Sequence, residues 1–447
     1  NNNPEIPIIM VTKNEEEWLM EEAIGSYISN YLTKPVNPSQ ILIACKNILE
    51  NKKIHQDRTL KDFITYINTL SLNGPNLESP NAWYELYNEV CNWSLKLDDI
   101  NDTNILDMFS NQKTNLNIEF SQYIQNNYKN WINNKVENRP KLSHDVFDTS
   151  IEPILKKKNK LVFIIIDCFK MDQWKKISTL FYEDFIINED YHFSILPSAT
   201  PFARNAIFSG LLPSEIKDNY PDLWNKMFIE KKMNGYEDKL FENQLKNKNY
   251  NNTKHHYIKI SDYKEGKKFI NKINDYKNLD ILNVVVNFVD ILGHSRSESN
   301  ILKELLPNES AYRQAIFNWF NKSWLKQAID TFSDWDAEIV ITSDHGNTMV
   351  NKPILVKADQ TASTGVRYKY GRNLQANKKN ILKIDKPEQY KLPSFGINTQ
   401  YIIAKDFNYF IYNNDYHKYV NMYKNSFQHG GITMDEIIVP LIHMRKK

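Results

Sequence analysis

The chain has 447 residues, with 41% hydrophobic and 25% charged side chains and a formal net charge of +2. This balance is ordinary for a globular protein of two or three domains and excludes a global basic field that would bind nucleic acid in bulk. No apolar stretch approaches the roughly 18 residues that span a bilayer, and no charged-then-apolar leader opens the sequence. The three cysteines are odd in number and lack metal-type spacing, so we expect a cytoplasmic protein without a membrane span.

Residues 1–50 predict half of a doubly wound α/β domain. The expected elements are a strand over Ile6–Thr12, a helix from Asn14 to Gly25, a strand over Tyr31–Thr33 and a helix from Asn37 to Glu50. Two strands and two helices are too few to bury a core alone. We therefore expect the sequence to begin inside a domain whose first half precedes it.

Residues 51–150 predict a helical bundle. Apolar and aromatic residues recur at helical spacing in three segments, which are Leu60–Leu72, Asn81–Leu97 and Ile118–Val136. Gly74–Pro75 and Ser79–Pro80 separate the first two helices. The tryptophans of this region are predicted to be core residues, namely Trp83, Trp93 and Trp131.

From residue 151 onward strands alternate with helices, which predicts a mostly parallel sheet with helices on both faces. The predicted strands are Leu161–Ile166, Tyr191–Leu196, Ile281–Val289 and Glu338–Thr342. The predicted helices are Gln173–Tyr182, Arg204–Ser209, Glu309–Ser333 and Asn414–Asn421.

Acidic and histidine side chains follow three of these strands. Asp167 follows the first, Asp344 and His345 follow the last, and Asp290 with His294 is expected where residues 281–289 end. In an open α/β sheet, ligands bind at the carboxyl ends of the strands. Each residue alone is explained equally well by a helix cap or a surface turn. Together, aspartate and histidine without cysteine suit divalent cations such as zinc or manganese.

Two loop features complete the candidate site. His429 is followed by two glycines, so its loop is free to reach a distant site. Thr200 precedes a helical stretch, where a hydroxyl is usually a cap but becomes a nucleophile when a metal lowers its pKa. Ser198 is the rival nucleophile. Arg204 and Asn205 are candidate substrate contacts, since a guanidinium can steady a phosphoryl oxygen.

The segment Asn351–Leu374 interleaves basic and aromatic residues. Such a mixture suits contacts with phosphates and bases, which makes Arg367 and Arg372 candidate substrate contacts. A solvated surface loop would have the same composition, and both interpretations remain open.

Five segments resemble the PglZ branch of the alkaline phosphatase superfamily over about Lys156 to Ile442. They read IDCFKMDQW, PSATPFARNAIFSGLLP, VDILGH, SDHG and HGGITMDEIIVPL. The resemblance implies two zinc ions, with manganese as the alternative. It assigns one ion to Asp290, His294 and His429, and the other to Asp167, Asp344 and His345, with Thr200 as the nucleophile beside it. Sulfatase chemistry is disfavoured, because the sequence has no Cys-x-Pro-x-Arg segment.

The N-terminal segments VTK and YLTKPVNPSQIL resemble the second half of a response-regulator receiver. In that family a threonine and a lysine contact the phosphoryl group on an acceptor aspartate, with magnesium bound in the complete domain. The resemblance assigns these roles to Thr12 and Lys34, and the aromatic switch to Tyr31. The predicted domains are therefore a partial, flavodoxin-like receiver over 1–50, a helical linker over 51–150 and the PglZ domain over 151–447.

This order of domains resembles PorX-type response regulators, which regulate type IX secretion and gliding. The resemblance implies a sensor histidine kinase, a phosphorylation-promoted homodimer, and a sigma factor or secretion-system proteins as partners. It also implies a phosphodiesterase that cleaves short linear or cyclic oligonucleotides through a phosphothreonine intermediate. Two alternatives stay open, which are a phosphomonoesterase and a metal-stabilised signalling module that acts through protein contacts.

Overall fold

The computed structural model describes residues 8–12, 30–74, 76–134, 136, 138–359 and 362–447. Contacts divide the chain into two compact units, one of Asn1–Pro75 with Asp99–Leu106 and one of Asn76–Asp98 with Asp107–Lys447. No helix within the described ranges combines the length and apolar character that crossing a membrane requires.

The first unit contains two parallel strands and a long helix. The strands β1 (Ile9–Thr12) and β2 (Asn30–Thr33) confirm the predicted strand over 31–33 and the last part of the one over 6–12. The predicted helix from Asn14 to Gly25 lies outside the described residues.

The helix α1 (Pro38–Asn73) begins as predicted, with Asn37 as its N-cap in a capping box. Its predicted end at Glu50 is wrong. No glycine or proline occurs between residues 51 and 73, so nothing in the sequence interrupts the helix.

Two helices precede the large sheet, α2 (Pro80–Lys96) and α3 (Thr103–Asn133). The predicted helix over 81–97 is confirmed, and the one over 118–136 begins already at Thr103. All three tryptophans are buried, as predicted, and Trp83 packs edge-on against Phe120 with ring centroids 5.1 Å apart.

Further strands and helices follow to the end of the chain. The strands are β3 (Lys160–Ile166), β4 (Phe185–Phe193), β5 (His255–Ile260), β6 (Ile281–Val286), β7 (Ala337–Thr342), β8 (Thr348–Val350), β9 (Lys352–Leu355), β10 (Tyr368–Gly371), β11 (Ile381–Ile384), β12 (Gln400–Ala404), β13 (Asn408–Ile411), β14 (Ser426–Gln428) and β15 (Ile438–Lys446). The helices are α4 (Glu152–Lys156), α5 (Met171–Ser178), α6 (Thr200–Ser209), α7 (Pro213–Asn219), α8 (Pro221–Ile229), α9 (Glu237–Asn247), α10 (Tyr263–Asn271), α11 (Phe288–Glu298), α12 (Asn300–Leu305), α13 (Glu309–Asn321), α14 (Trp324–Phe332), α15 (Tyr416–Tyr423) and α16 (Met434–Ile437).

Six strands form the large sheet in the order β4-β15-β7-β3-β6-β5. β15 is antiparallel to both of its neighbours, and the pairings give the other five strands one direction. The predicted α/β class and mostly parallel sheet are therefore confirmed, with β15 as the exception. The central strands β3 and β6 are buried almost throughout, as expected for strands covered on both faces.

Several predicted boundaries differ from the structure. The strand predicted over 281–289 ends at Val286, because a helix begins at Phe288. The strand predicted over 191–196 spans Phe185–Phe193 instead. The helix predicted over 309–333 is two helices, since Ser323 caps the second one with its side chain.

Residues 348–428 add three small sheets to the large one. Their pairings are β14 with β8, β13 with β9, and β10-β12-β11. The last two sheets share an apolar cluster that includes Ile354, Leu374 and Ile402. The basic segment over 351–374 therefore contributes two strands to a folded region and is not a solvated loop throughout.

Candidate active site and metal centre

The carboxyl ends of the adjacent strands β3 and β7 carry the first group of candidate ligands. Asp167 directly follows β3, and Asp344 and His345 follow β7 after one serine. Ligand atoms of these three residues lie within 4.8 Å of one another. All three residues are buried.

The second group combines a helix with a loop. Asp290 and His294 lie one turn apart on α11, so the helix, and not a strand end as predicted, directs both side chains to one side. His429 follows β14 and completes the group, whose ligand atoms again lie within 4.8 Å. The Nε2 atoms of His294 and His429 lie 3.3 and 3.6 Å from Asp290 Oδ1.

The two groups are neighbours. The imidazole rings of His345 and His429 stack at 18° with their centroids 4.3 Å apart. The structure thus brings together the same two sets of residues that the resemblance implied, side by side at one edge of the sheet.

The hydroxyl of Thr200 lies next to the first group. Thr200 opens α6, and its Oγ1 lies 3.0 Å from His345 Nε2 and 3.4 Å from Asp167 Oδ1. His345 Nδ1 lies 3.1 Å from the carbonyl oxygen of Gly346, which can only accept a hydrogen bond. Nδ1 therefore carries the proton of the neutral ring, and Nε2 presents its lone pair to Thr200.

The electrostatics of both groups favour bound cations. Burial, followed by the charge of Asp167, raises the pKa of Asp344 well above its usual range. Burial lowers the pKa of His345. Burial and the neighbouring His345 lower the pKa of His429 to about 4. A divalent ion would offset the repulsion between the two carboxylates and accept the lone pairs of neutral imidazoles.

The donor set also fits a metal by its unsatisfied atoms. Asp344 Oδ2 is buried without a hydrogen-bond donor, and Arg204 NH1 and His345 Nε2 lie 3.8 and 3.7 Å from it. Buried carboxylate oxygens are rarely left without a partner. Two aspartates and one histidine, or one aspartate and two histidines, are ligand sets that zinc accepts.

Arg204 supports the carboxylates of the site. It is buried, and it donates from NH1 to Asp167 Oδ2 at 2.6 Å and from Nε to Glu237 Oε1 at 2.6 Å. Carboxylates thus accept from two of its three nitrogens, and the predicted contact with a phosphoryl oxygen stays a prediction. Sequence reasoning missed Glu237, which opens α9 and also accepts from Tyr257.

Asn205 and Ser198 are likewise occupied by the protein. Asn205 is fully buried and donates to the carbonyl oxygens of Pro201 and Met233, so it anchors the start of α6 rather than facing an open site. The Ser198 hydroxyl is buried and donates to the Gly431 carbonyl at 2.7 Å. Of the two hydroxyls, Thr200 is therefore the better placed to attack.

The two arginines of the basic segment have different surroundings. Arg367 is fully buried, pairs with Glu436 through Nε and NH2, and donates to the Asn408 carbonyl. The structure thus contradicts the predicted substrate contact, because a buried pair like this holds the loop before β15, and removing one partner leaves an uncompensated charge. Arg372 has a side chain 58% exposed and lies 3.7 Å from Asp359.

The receiver-like residues lie at the ends of β1 and β2. Thr12 pairs with Thr33 in the parallel register, and the backbone N–H of Lys34 donates to the Thr12 carbonyl at 2.7 Å. The backbone of Tyr31 lies within β2. Two adjacent strands thus bring the threonine and the lysine to the same end of the pair.

Comparison with known families identifies the chain. The family model of the BREX system PglZ alkaline phosphatase-like domain matches residues 146–444. The model of the PorX response regulator linker domain matches residues 53–132. Since the first match spans more than half of the sequence, the chain belongs to the PglZ alkaline phosphatase-like family. The two matches together confirm a PorX-type response regulator with a PglZ domain, and members of this superfamily are metal-dependent hydrolases.

A comparison with curated proteins found no matching sequence. Among solved structures, the chain is similar to murine ectonucleotide pyrophosphatase/phosphodiesterase 5, with 11% identity, 64% of this chain and 88% of the other covered, and a TM-score of 0.43. It is also similar to phosphonoacetate hydrolase from Sinorhizobium meliloti, with 9% identity, 64% and 90% covered, and a TM-score of 0.40. Both TM-scores lie below 0.5, so the likeness extends to the fold and not to the details of the site.

Replacing His429 should separate the two metal groups. In His429→Ala, the group with Asp290 and His294 keeps two ligands while the other group stays intact, so one ion should be lost more readily than both. Elemental analysis along a chelator titration measures this, with the exposed His256→Ala as the control. Simultaneous loss of both ions, or retention of both as in the control, would contradict the assignment.

Proposed function

We propose that this chain is a zinc-dependent phosphodiesterase that cleaves short linear or cyclic oligonucleotides and serves as the output of a two-component response regulator. The observation that carries the proposal is the position of Thr200 Oγ1, 3.0 Å from His345 Nε2 and 3.4 Å from Asp167 Oδ1. A hydroxyl beside a group of candidate metal ligands is an arrangement that suits phosphoryl transfer to a threonine.

Six side chains would hold the metal ions. One ion would be held by Asp290, His294 and His429, and the other by Asp167, Asp344 and His345. Bound divalent ions of this kind lower the pKa of an attacking hydroxyl and stabilise both the attacking and the leaving oxygen. Manganese fits the same oxygen and nitrogen donors.

Thr200 supplies the nucleophile. Its oxygen forms a bond to phosphorus while the bond to the leaving alcohol breaks and that alcohol takes up the proton, which gives a phosphothreonine whose phosphoryl group still carries the other half of the diester. Water then cleaves this ester and restores the hydroxyl. Thr200 stands at the start of the ten-residue helix α6, whose N-terminal end favours the negative charge of the phosphoryl group. Arg204 donates to Asp167 and so keeps that carboxylate oriented.

Arg372 is the remaining candidate for a contact with a second phosphate of an oligonucleotide. Its side chain is exposed, and its neighbour Asp359 lies 3.7 Å away, a separation at which a surface ion pair contributes little. A phosphate could therefore displace the carboxylate without leaving a buried charge.

Replacing Thr200 tests the nucleophile. Thr200→Val keeps the shape of the side chain and removes the hydroxyl, so turnover of an aryl phosphodiester should collapse while the bound metal stays. Ser198→Ala should retain most of the turnover, because that hydroxyl is buried and donates its hydrogen bond to the Gly431 carbonyl. Loss of turnover in Ser198→Ala with activity kept in Thr200→Val would transfer the role to Ser198. A faster reaction with the aryl monoester than with the diester would make the protein a phosphomonoesterase.

We further propose that phosphorylation by a sensor histidine kinase promotes a homodimer and so regulates type IX secretion and gliding, with a sigma factor or secretion-system proteins as downstream partners. A phosphoryl group adds about −1.5 to −2 charge. In a receiver with magnesium bound, the Thr12 hydroxyl and the Lys34 ammonium would contact that group, with Tyr31 as the aromatic switch.

The regulatory proposal predicts a change of assembly. A protein that includes the complete receiver should shift toward dimer in sedimentation when an acyl-phosphate analogue and magnesium are added. Lys34→Ala should blunt the shift, because the ammonium no longer contacts the added charge. An unchanged monomer–dimer balance with and without the analogue would rule out control of assembly by the receiver.

A further inference from the structure

Three polar residues lie on one stripe of α3, the last helix of the linker match. Lys113, Asn117 and Ser121 are four residues apart, so they point in one direction from the helix. All three are buried within the second compact unit. Buried polar groups on a helix face are costly unless each has a partner, so their contacts matter. We call these three residues the polar stripe.

The polar stripe contacts three residues of the loop that carries His429. Ser121 Oγ donates to the carbonyl oxygen of Ile432 at 3.0 Å. Asn117 Oδ1 accepts from the backbone N–H of Met434 at 2.8 Å. Lys113 Nζ lies 2.8 Å from Asp435 Oδ2. One side of the helix thus contacts the loop at Ile432, Met434 and Asp435.

Asp435 is held from several sides. Besides Lys113, the Tyr87 hydroxyl of α2 donates to its Oδ1 at 3.0 Å, and Lys170 Nζ lies 3.9 Å from the same oxygen. Lys113 in turn donates to Glu309 at 2.8 Å. Every charge of this cluster therefore has a partner of the opposite sign, which is what makes its burial tolerable.

The segment over residues 429–436 includes most of the short helix α16 and is here called the His429 loop. It touches both groups of metal ligands. His429 itself belongs to the group with Asp290. At the other end of the loop, the Glu436 carbonyl accepts from the backbone N–H of Gly346 at 3.1 Å, next to His345. A Cβ on Gly346 would lie 1.9 Å from the carbonyl oxygen of Asp435, so the two loops are packed as closely as glycine allows.

We infer that the polar stripe of the linker helix positions the metal ligands, with Lys113, Asn117 and Ser121 as positioning residues for both groups. The linker is then a structural part of the metal centre as well as a connection to the receiver. The inference rests on the proposed metal site. The inference goes beyond the proposed site because it assigns residues of the linker match to the support of that site.

Two single variants test the inference, Lys113→Met and Asn117→Leu, each of which removes the side chain's contact with the loop while roughly keeping its size. Asn115→Leu, at an exposed position of the same helix, is the matched control, and Lys113→Arg is the conservative rescue. Zinc affinity from chelator competition should fall about tenfold or more in both test variants, as is typical when a residue that orients a ligand is lost. The control and the rescue variant should bind zinc as the unaltered protein does.

Amide exchange in the metal-free protein gives a second result that does not depend on zinc. Exchange in residues 429–436 should be faster in both test variants, while exchange in β3 and β7 should be unchanged. Affinity and loop exchange equal to those of Asn115→Leu would overturn the inference. If the test variants fail to fold, Ser121→Ala removes only a hydroxyl, with its contacts to Ile432 and Asp406, and is judged on the same two measurements. If the unaltered protein binds no zinc, the proposed function fails, and exchange in the loop still decides on the polar stripe.

Discussion

The site depends on the confinement of three aspartates and three histidines at one edge of a buried sheet. Asp167 and Asp344 end adjacent strands, and Arg204 is the one cation among the described residues that forms an ion pair with both. Repulsion between buried carboxylates is expensive in a medium of low dielectric, as the raised pKa of Asp344 reflects through burial and the charge of Asp167. Divalent ions would relieve this repulsion, which is why these carboxylates suit a metal site.

The rest of the fold holds these groups in place through buried polar contacts. Glu237 fixes Arg204, which fixes Asp167, and Asn234 ties the same glutamate to the Thr200 carbonyl. Glu436 pairs with Arg367 and keeps the His429 loop against the sheet. Removing one member of such a buried pair costs about 3–5 kcal/mol, because the other charge is left uncompensated. Support of this kind holds the Thr200 hydroxyl and the candidate metal ligands at fixed distances from one another.

The parts of the site that follow from local pattern could be predicted from the sequence. Apolar stretches marked the ends of β3 and β7, and therefore Asp167, Asp344 and His345. The predicted strand end at Val289 is wrong, since the helix cap Asn287 is a single polar residue inside an otherwise apolar stretch and does not mark the boundary clearly. The partners of Arg204, Arg367 and the polar stripe could not be predicted, because such contacts join residues far apart in the sequence. Asn117 and Met434, for example, are 317 residues apart. Only the folded chain brings such residues together.

The central claim is that this edge of the sheet holds two metal ions around Thr200. Crystals grown with zinc and measured at the zinc absorption edge test it most directly. The account predicts two anomalous peaks about 3.5–4 Å apart, one bounded by Asp167, Asp344 and His345 and the other by Asp290, His294 and His429. A single peak, no peak, or ions held by other residues would contradict it.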